Sequence, residues 1–233
     1  GDSHAMALYS AALLGKVPVK TMLIGNLGCL PLMGYSVQDG ALNKNCNALP
    51  DQAFKVLDRY PSIHTVALAT RGPFYFSGQG YGMEGPSNYS IFALDGTKTS
   101  QTDMFHKGYS QFVKELLLRK KDVVLVIDPP ELGENPKGCL FRRPVSILEK
   151  PVSTCTQDKS KVVARQAVYR ELVEQIRTDN PALKVYDPID LFCDDARCYG
   201  LRDKKLLYWD DDHIAVWASE LVLRDMRKRK LLP

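Results

Sequence analysis

The 233 residues hold no apolar run near the roughly 18 to 20 residues that a membrane helix needs. No basic-then-apolar leader opens the chain. Charge of one sign is also scarce, because 31 Lys and Arg stand against 27 Asp and Glu for a net charge of +4. The densest basic cluster, Arg227 to Lys230, reads as a solvated helix end, so no nucleic-acid partner is expected. There is no Cys-x-x-Cys, and none of the four histidines stands at ligand spacing from a cysteine. Neither a metal nor a cofactor is therefore expected. What remains is 45% hydrophobic and 25% charged, the balance of a soluble globular chain rather than a disordered one.

The six cysteines fall as sequential pairs, Cys29 with Cys46, Cys139 with Cys155 and Cys193 with Cys198. Each pair lies in a stretch rich in Pro, Gly, Asp or Asn, where a covalent link orders a loop, so three disulfides are expected. Disulfides imply an oxidising compartment. That sits with the lack of a leader if the chain is an exported domain of a longer protein.

Helical and strand patterns alternate. Helices are expected over His4 to Leu14, Asp51 to Arg59, Phe105 to Arg119, Lys159 to Arg177 and His213 to Arg227. Strands are expected over Val19 to Ile24, Ile63 to Ala69, Val123 to Ile127 and Leu183 to Tyr186, with a short segment at Leu206 to Trp209. This order predicts an α/β fold, a doubly wound (flavodoxin-like) parallel sheet between two helical layers, formed by residues 1–233 as a single domain. Ligands of such sheets bind at the carboxyl ends of the strands. The long loops Thr70 to Asp103 and Asp128 to Asp158 belong on that edge.

Two segments carry chemistry. Gly1-Asp2-Ser3-His4 opens directly into a helix, whose first turn leaves the serine hydroxyl and its backbone N–H free where the dipole favours negative charge. Ser and Asp are equally ordinary caps, and short openings of this kind are also left by expression tags. At the other end, Asp210 stands three residues before His213. There it can accept from Nδ1 and leave Nε2 to take a proton from a serine. The aspartates also suit the cap of the last helix.

Gly-Asp-Ser at the start and Asp-x-x-His at the end resemble the SGNH hydrolase superfamily. Gly28-Cys29-Leu30-Pro31, Cys139, and Leu191-Phe192-Cys193 to Cys198 leading into Leu207-Tyr208 are similar to the periplasmic SGNH domain fused to acyltransferase-3 membrane proteins. The resemblance covers essentially the whole chain. It implies an SGNH fold whose first strand, before the serine, is missing or truncated here. It also implies a periplasmic location as part of an inner-membrane protein, fused to a transmembrane acyltransferase-3 domain. The implied activity is O-acyl transfer, commonly of acetyl, from an acyl donor to a sugar hydroxyl of a surface polysaccharide such as O-antigen. An O-acetylesterase and a carbohydrate-binding domain with a vestigial triad are the alternatives.

Carried over, Ser3 is the nucleophile, His213 the general base and Asp210 its orienting carboxylate. Asp211 and Asp212 do not match the family spacing. The oxyanion hole would use the Ser3 N–H and Gly28, with Gly25 and Asn26 as rivals. Where the superfamily has Gly-x-Asn-Asp, this chain has Thr70-Arg71-Gly72-Pro73. Arg71 is expected either to replace the asparagine as oxyanion donor or to tether the long loop. Phe74, Tyr75, Phe76, Tyr81 and Tyr89, interleaved with glycines, offer either sugar contacts or packing beneath that loop.

Overall fold

The computed structural model describes residues 1–40, 42–43, 45–82, 84–136 and 155–233. In chain order its elements are α1 (Ser3–Leu13), β1 (Tyr35–Asp39), β2 (Leu42–Asn43), α2 (Leu49–Arg59), β3 (Thr65–Ala69), α3 (Gly72–Ser77) and β4 (Tyr89–Ala93). There follow α4 (Gln101–Leu118), β5 (Asp122–Val126), β6 (Thr156–Asp158), α5 (Lys159–Asp179), β7 (Lys184–Tyr186) and α6 (Ile189–Phe192). The chain closes with β8 (Arg197–Tyr199), β9 (Leu201–Arg202), β10 (Lys205–Leu206) and α7 (Val216–Lys228).

The organising unit is a three-stranded parallel sheet in the order β3-β5-β7. Its central strand is apolar on both faces, as a strand covered by helices on each side must be. Val123, Leu125 and Ile127 enter a core with Phe54 and Leu57 of α2, Phe112 and Leu116 of α4, and Val173 and Ile176 of α5. Val124 and Val126 enter a second core with Leu8 and Ala11 of α1 and Ala218, Val222 and Met226 of α7. The expected three layers are present.

The helices follow from their stripes and caps. In α4 the buried residues Met104, Phe105, Gly108, Tyr109, Phe112, Val113 and Leu116 recur at three- and four-residue spacing, and Ser100 Oγ accepts from the Asp103 N–H at 3.0 Å. α1 is fixed to α7 by one hydroxyl. Ser219 Oγ accepts from the Ala11 N–H at 3.1 Å and donates to the Leu8 carbonyl at 2.6 Å.

Three differences from the sequence pattern have physical reasons. Val19 to Ile24, expected as a strand, forms no ladder, because strands exist through their partners. An apolar groove of about 690 Å³, lined by this segment and by Thr65 to Ala69 of β3, lies where such a ladder would run. The loop expected from Thr70 to Asp103 contains α3 and β4. β4 pairs antiparallel with β1, from Tyr35 opposite Ala93 to Asp39 opposite Tyr89, a long-range pairing that short polar-alternating segments do not announce. Of the short segment expected at Leu206 to Trp209, Leu206 closes β10, paired antiparallel with β9, and Tyr208 forms an isolated bridge with Ile214.

Disulfides join Cys29 to Cys46 and Cys193 to Cys198. Of the other pair, Cys155 is disulfide-bonded, and Cys139 lies outside the described residues. Among the described residues no helix is long and apolar enough to cross a membrane.

Leu125, 2% exposed at the centre of the sheet, tests the core. Leu125→Ala is expected to lower unfolding free energy by about 2–5 kcal/mol in a denaturant titration. A loss below about 1 kcal/mol would contradict this packing.

Candidate active site

The carboxyl ends of the parallel strands converge on the amino end of α1. β3 runs into Thr70 and Arg71, and β5 into Ile127 and Asp128. Gly1 fits between them and the next loop by close approach. Its carbonyl accepts from the Asn26 N–H at 3.1 Å, and a Cβ at Gly1 would lie 2.3 Å from the Ala69 carbonyl oxygen. Asp2 caps α1 and is fully buried. Its carboxylate accepts from the backbone N–H of His4 and Arg71, each at 2.9 Å, and from the Tyr75 hydroxyl at 2.8 Å. These bonds fix the turn that presents the half-buried Ser3 as the first residue of the helix.

His213 arrives from the loop before α7. That loop is shaped by Asp210, whose Oδ1 accepts from the backbone N–H of Asp212 at 3.2 Å and of His213 at 2.7 Å, an Asx turn. The same carboxylate lies 3.0–3.1 Å from His213 Nδ1. The Asp210–His213 pairing expected from the three-residue spacing is therefore present. Asp212, expected to be an unsuitable partner, also reaches Nδ1, at 2.7 Å. The spacing argument missed it because the Asx turn folds the loop so that both carboxylates face one nitrogen. Asp211 instead uses its carbonyl to accept from the Leu132 N–H at 2.9 Å, tying this loop to the one after β5.

The serine end and the histidine end meet through His4. Its ring centroid lies 4.7 Å from that of His213, at 47°. His4 itself is unavailable as a base. It is buried, with Nδ1 2.7 Å from Asp128 and Nε2 3.4 Å from Asp212. His213 Nε2 has no hydrogen-bond partner among the described residues, and no hydrogen bond joins Ser3 to His213 there.

Arg71 is 8% exposed and spends its guanidinium on three carboxylates. Nε donates to Glu131 at 2.8 Å, Nη1 to Glu84 at 3.0 Å, and Nη2 to Glu131 at 2.6 Å and to Glu84, while Nη1 also forms an ion pair with Asp212 at 2.8 Å. Four of the five N–H donors of the guanidinium are engaged by Glu131 and Glu84. As placed, the side chain ties Glu84, Glu131 and Asp212 together, the arrangement expected of a loop tether. Desolvation works against the charge on Arg71, but the surrounding carboxylates outweigh it and hold its pKa well above normal. Desolvation likewise opposes ionised Asp212, yet the hydrogen bonds from His213 and His4 and the charge on Arg71 keep its pKa far below the usual carboxylate range.

The remaining expected residues lie as follows. Gly28 sits at φ +71° under Tyr89, whose hydroxyl would be 2.6 Å from an added Cβ. The rivals Gly25 and Asn26 touch Gly1 directly. The loop aromatics pack. Phe74 and Tyr75 meet Tyr89 at 5.1 and 6.0 Å, Phe76 meets Phe105 at 5.8 Å, and Tyr81 lies under Arg165. The exposed aromatic by the histidine is Trp209, 66% exposed. His64 is exposed just before β3, and His106 on α4 pairs with Asp179 at 2.9 Å.

His4, Asp212 and His213 bring ligand-type atoms within 4.8 Å of one another. With the Arg71 guanidinium already 2.8 Å from Asp212, the set is a hydrogen-bonded charge network rather than a metal centre.

A three-layer α/β domain with Gly-Asp-Ser opening a helix beside an acid-held histidine, all at the carboxyl edge of the sheet, is the layout of an enzyme of the SGNH type. The family described as SGNH domain (fused to AT3 domains) matches residues 1–228, and the chain belongs to it. No curated protein matches the chain in sequence. Among solved structures, the lipopolysaccharide acetyltransferase periplasmic domain of Salmonella ser. Paratyphi A is similar in fold. The TM-score is 0.61 at 11% identity, over 99% of this chain and 81% of that one.

Arg71→Ala would strip one of two cations from Glu131, 2% exposed, and the guanidinium from buried Asp212. A loss of about 3–5 kcal/mol in unfolding free energy is expected by chemical denaturation. A loss under about 1 kcal/mol would show that the clamp is dispensable.

Proposed function

We propose that the chain is a single O-acyltransferase domain, moving an acyl group, acetyl being the simplest, from a donor to a sugar hydroxyl of a surface polysaccharide. Its setting is the periplasmic side of a membrane protein with a transmembrane acyltransferase-3 domain, as the family's fusion supports. The observation that carries the reading is the seating of His213 against the first turn of α1. His213 has Nδ1 held by two carboxylates and its ring packed on that of the residue following Ser3.

In this reading Ser3 Oγ attacks the donor carbonyl while its proton passes to His213 Nε2. Asp210 and Asp212 stabilise the imidazolium that forms. The Ser3 N–H, at the amino end of α1, and a donor from the Gly25 to Gly28 turn receive the oxyanion. Collapse expels the donor's leaving group, which takes the proton from His213, and leaves acyl-Ser3. A sugar hydroxyl then gives its proton to His213 and attacks the acyl carbonyl. Ser3 Oγ departs and regains the proton. Water in place of the sugar gives an esterase with the same residues.

Incubation with an activated acetyl ester, followed by mass spectrometry, tests the reading. Acetyl on Ser3, its absence in Ser3→Ala, and faster release when an oligosaccharide acceptor is added are expected. No label on Ser3 overturns the triad, and release to water alone, whatever acceptor is added, replaces the transferase with an esterase.

Burial lowers the pKa of His213, but its hydrogen bonds to Asp210 and Asp212 outweigh this and raise it to about 9, against opposition from charge on His4. Only the neutral imidazole takes a proton. Ester turnover, read as kcat/KM, should therefore rise with pH along a limb well above 6.5 and near 9, and Asp210→Asn should move that limb to lower pH. A limb at or below 6.5 in the wild type would contradict the two-carboxylate arrangement.

A further inference from the structure

The reaction just described leaves His4 without a task, although it is buried, follows Ser3 in α1 and packs its ring on that of His213. We infer that His4 is a positioning residue carried as an imidazolium, clamped between Asp128 and Asp212, whose charge restrains the basicity of His213. The inference rests on the proposed reading only in taking His213 as the base.

The geometry leads to the charge state. A neutral imidazole has one N–H and can donate to one carboxylate, whereas His4 faces a carboxylate at each nitrogen, Asp128 at 2.7 Å and Asp212 at 3.4 Å. A third, Asp2, lies close enough to act on it electrostatically. Burial works against a charged His4, but these acids outweigh it and hold its pKa well above normal. Burial also raises the Asp128 pKa to about 6, so Asp128 is still a carboxylate at neutral pH.

The consequence falls on His213. It is faced by Asp210 and Asp212 from its own loop and by the His4 ring, 4.7 Å away, from α1. Two carboxylates on one imidazole favour the protonated form, which is useless as a base. Asp212 is offset from two directions, by Arg71 at 2.8 Å, itself loaded with Glu84 and Glu131, and by His4. A cation beside His213 disfavours a second one. His4 thus counters the carboxylates that orient the base.

Nitrogen-15 NMR of the histidine rings reads this without any assay of activity. In the wild type, both ring nitrogens of His4 are expected in the protonated range at pH 7. A neutral His4 there overturns the inference, whether or not any variant folds. In His4→Gln, which keeps a donor but carries no charge, the His213 titration and the acid limb of ester turnover should both move up by at least about half a pH unit. Turnover at high pH should be kept. Lower turnover at every pH with an unmoved His213 titration would mean that His4 only packs, and would overturn the inference. An inactive wild type with the expected His213 shift would sink the base role of His213 while leaving the coupling of the two rings standing.

Discussion

The site depends on one buried carboxylate. Asp212 is 4% exposed, and a charge so placed is tolerated only where cationic or donating groups surround it. Its partners come from three parts of the chain: Arg71 after β3, His4 on α1 and His213 from the loop before α7. Satisfying it therefore draws the two ends of the sequence to the carboxyl edge of the sheet. The serine turn and the histidine turn are locally fixed by Asp2 and Asp210, each caging backbone N–H groups. Asp212 is what holds these two rigid turns in register.

Arg71 extends the same logic outward. By joining Asp212 to Glu131 and Glu84 it ties the loops after β3 and β5 to the histidine loop. Arg165 on α5 adds a second cation to Glu131 at 2.7 Å. These contacts make Arg71 the link between three loops at the carboxyl edge of the sheet.

The sheet and its helices were legible in the sequence because each has a local signal: the β-branched run of β5, and the three- and four-residue spacing in α4 and α7. The Asp210–His213 pair was legible for the same reason, being closed within one turn. Asp212 and His4 were not, since their interaction spans 208 residues and leaves no spacing to read. Nor could composition decide the fate of the aromatic loop. Phe74, Tyr75 and Tyr89 form a packed cluster once β4 pairs with β1, and that pairing is non-local. Val19 to Ile24 has a strand's composition, but ladders depend on a neighbour that local sequence does not supply.

The proposed triad requires His213 to make Ser3 nucleophilic although the two stand 210 residues apart in the chain. Reaction with a fluorophosphonate, which captures an activated serine as a stable tetrahedral adduct, tests it most directly. One adduct per chain on Ser3 is expected and, in folded His213→Ala, a rate lower by roughly 100-fold or more. Labelling of Ser3 at an unchanged rate in that variant, or of a different serine, would contradict it.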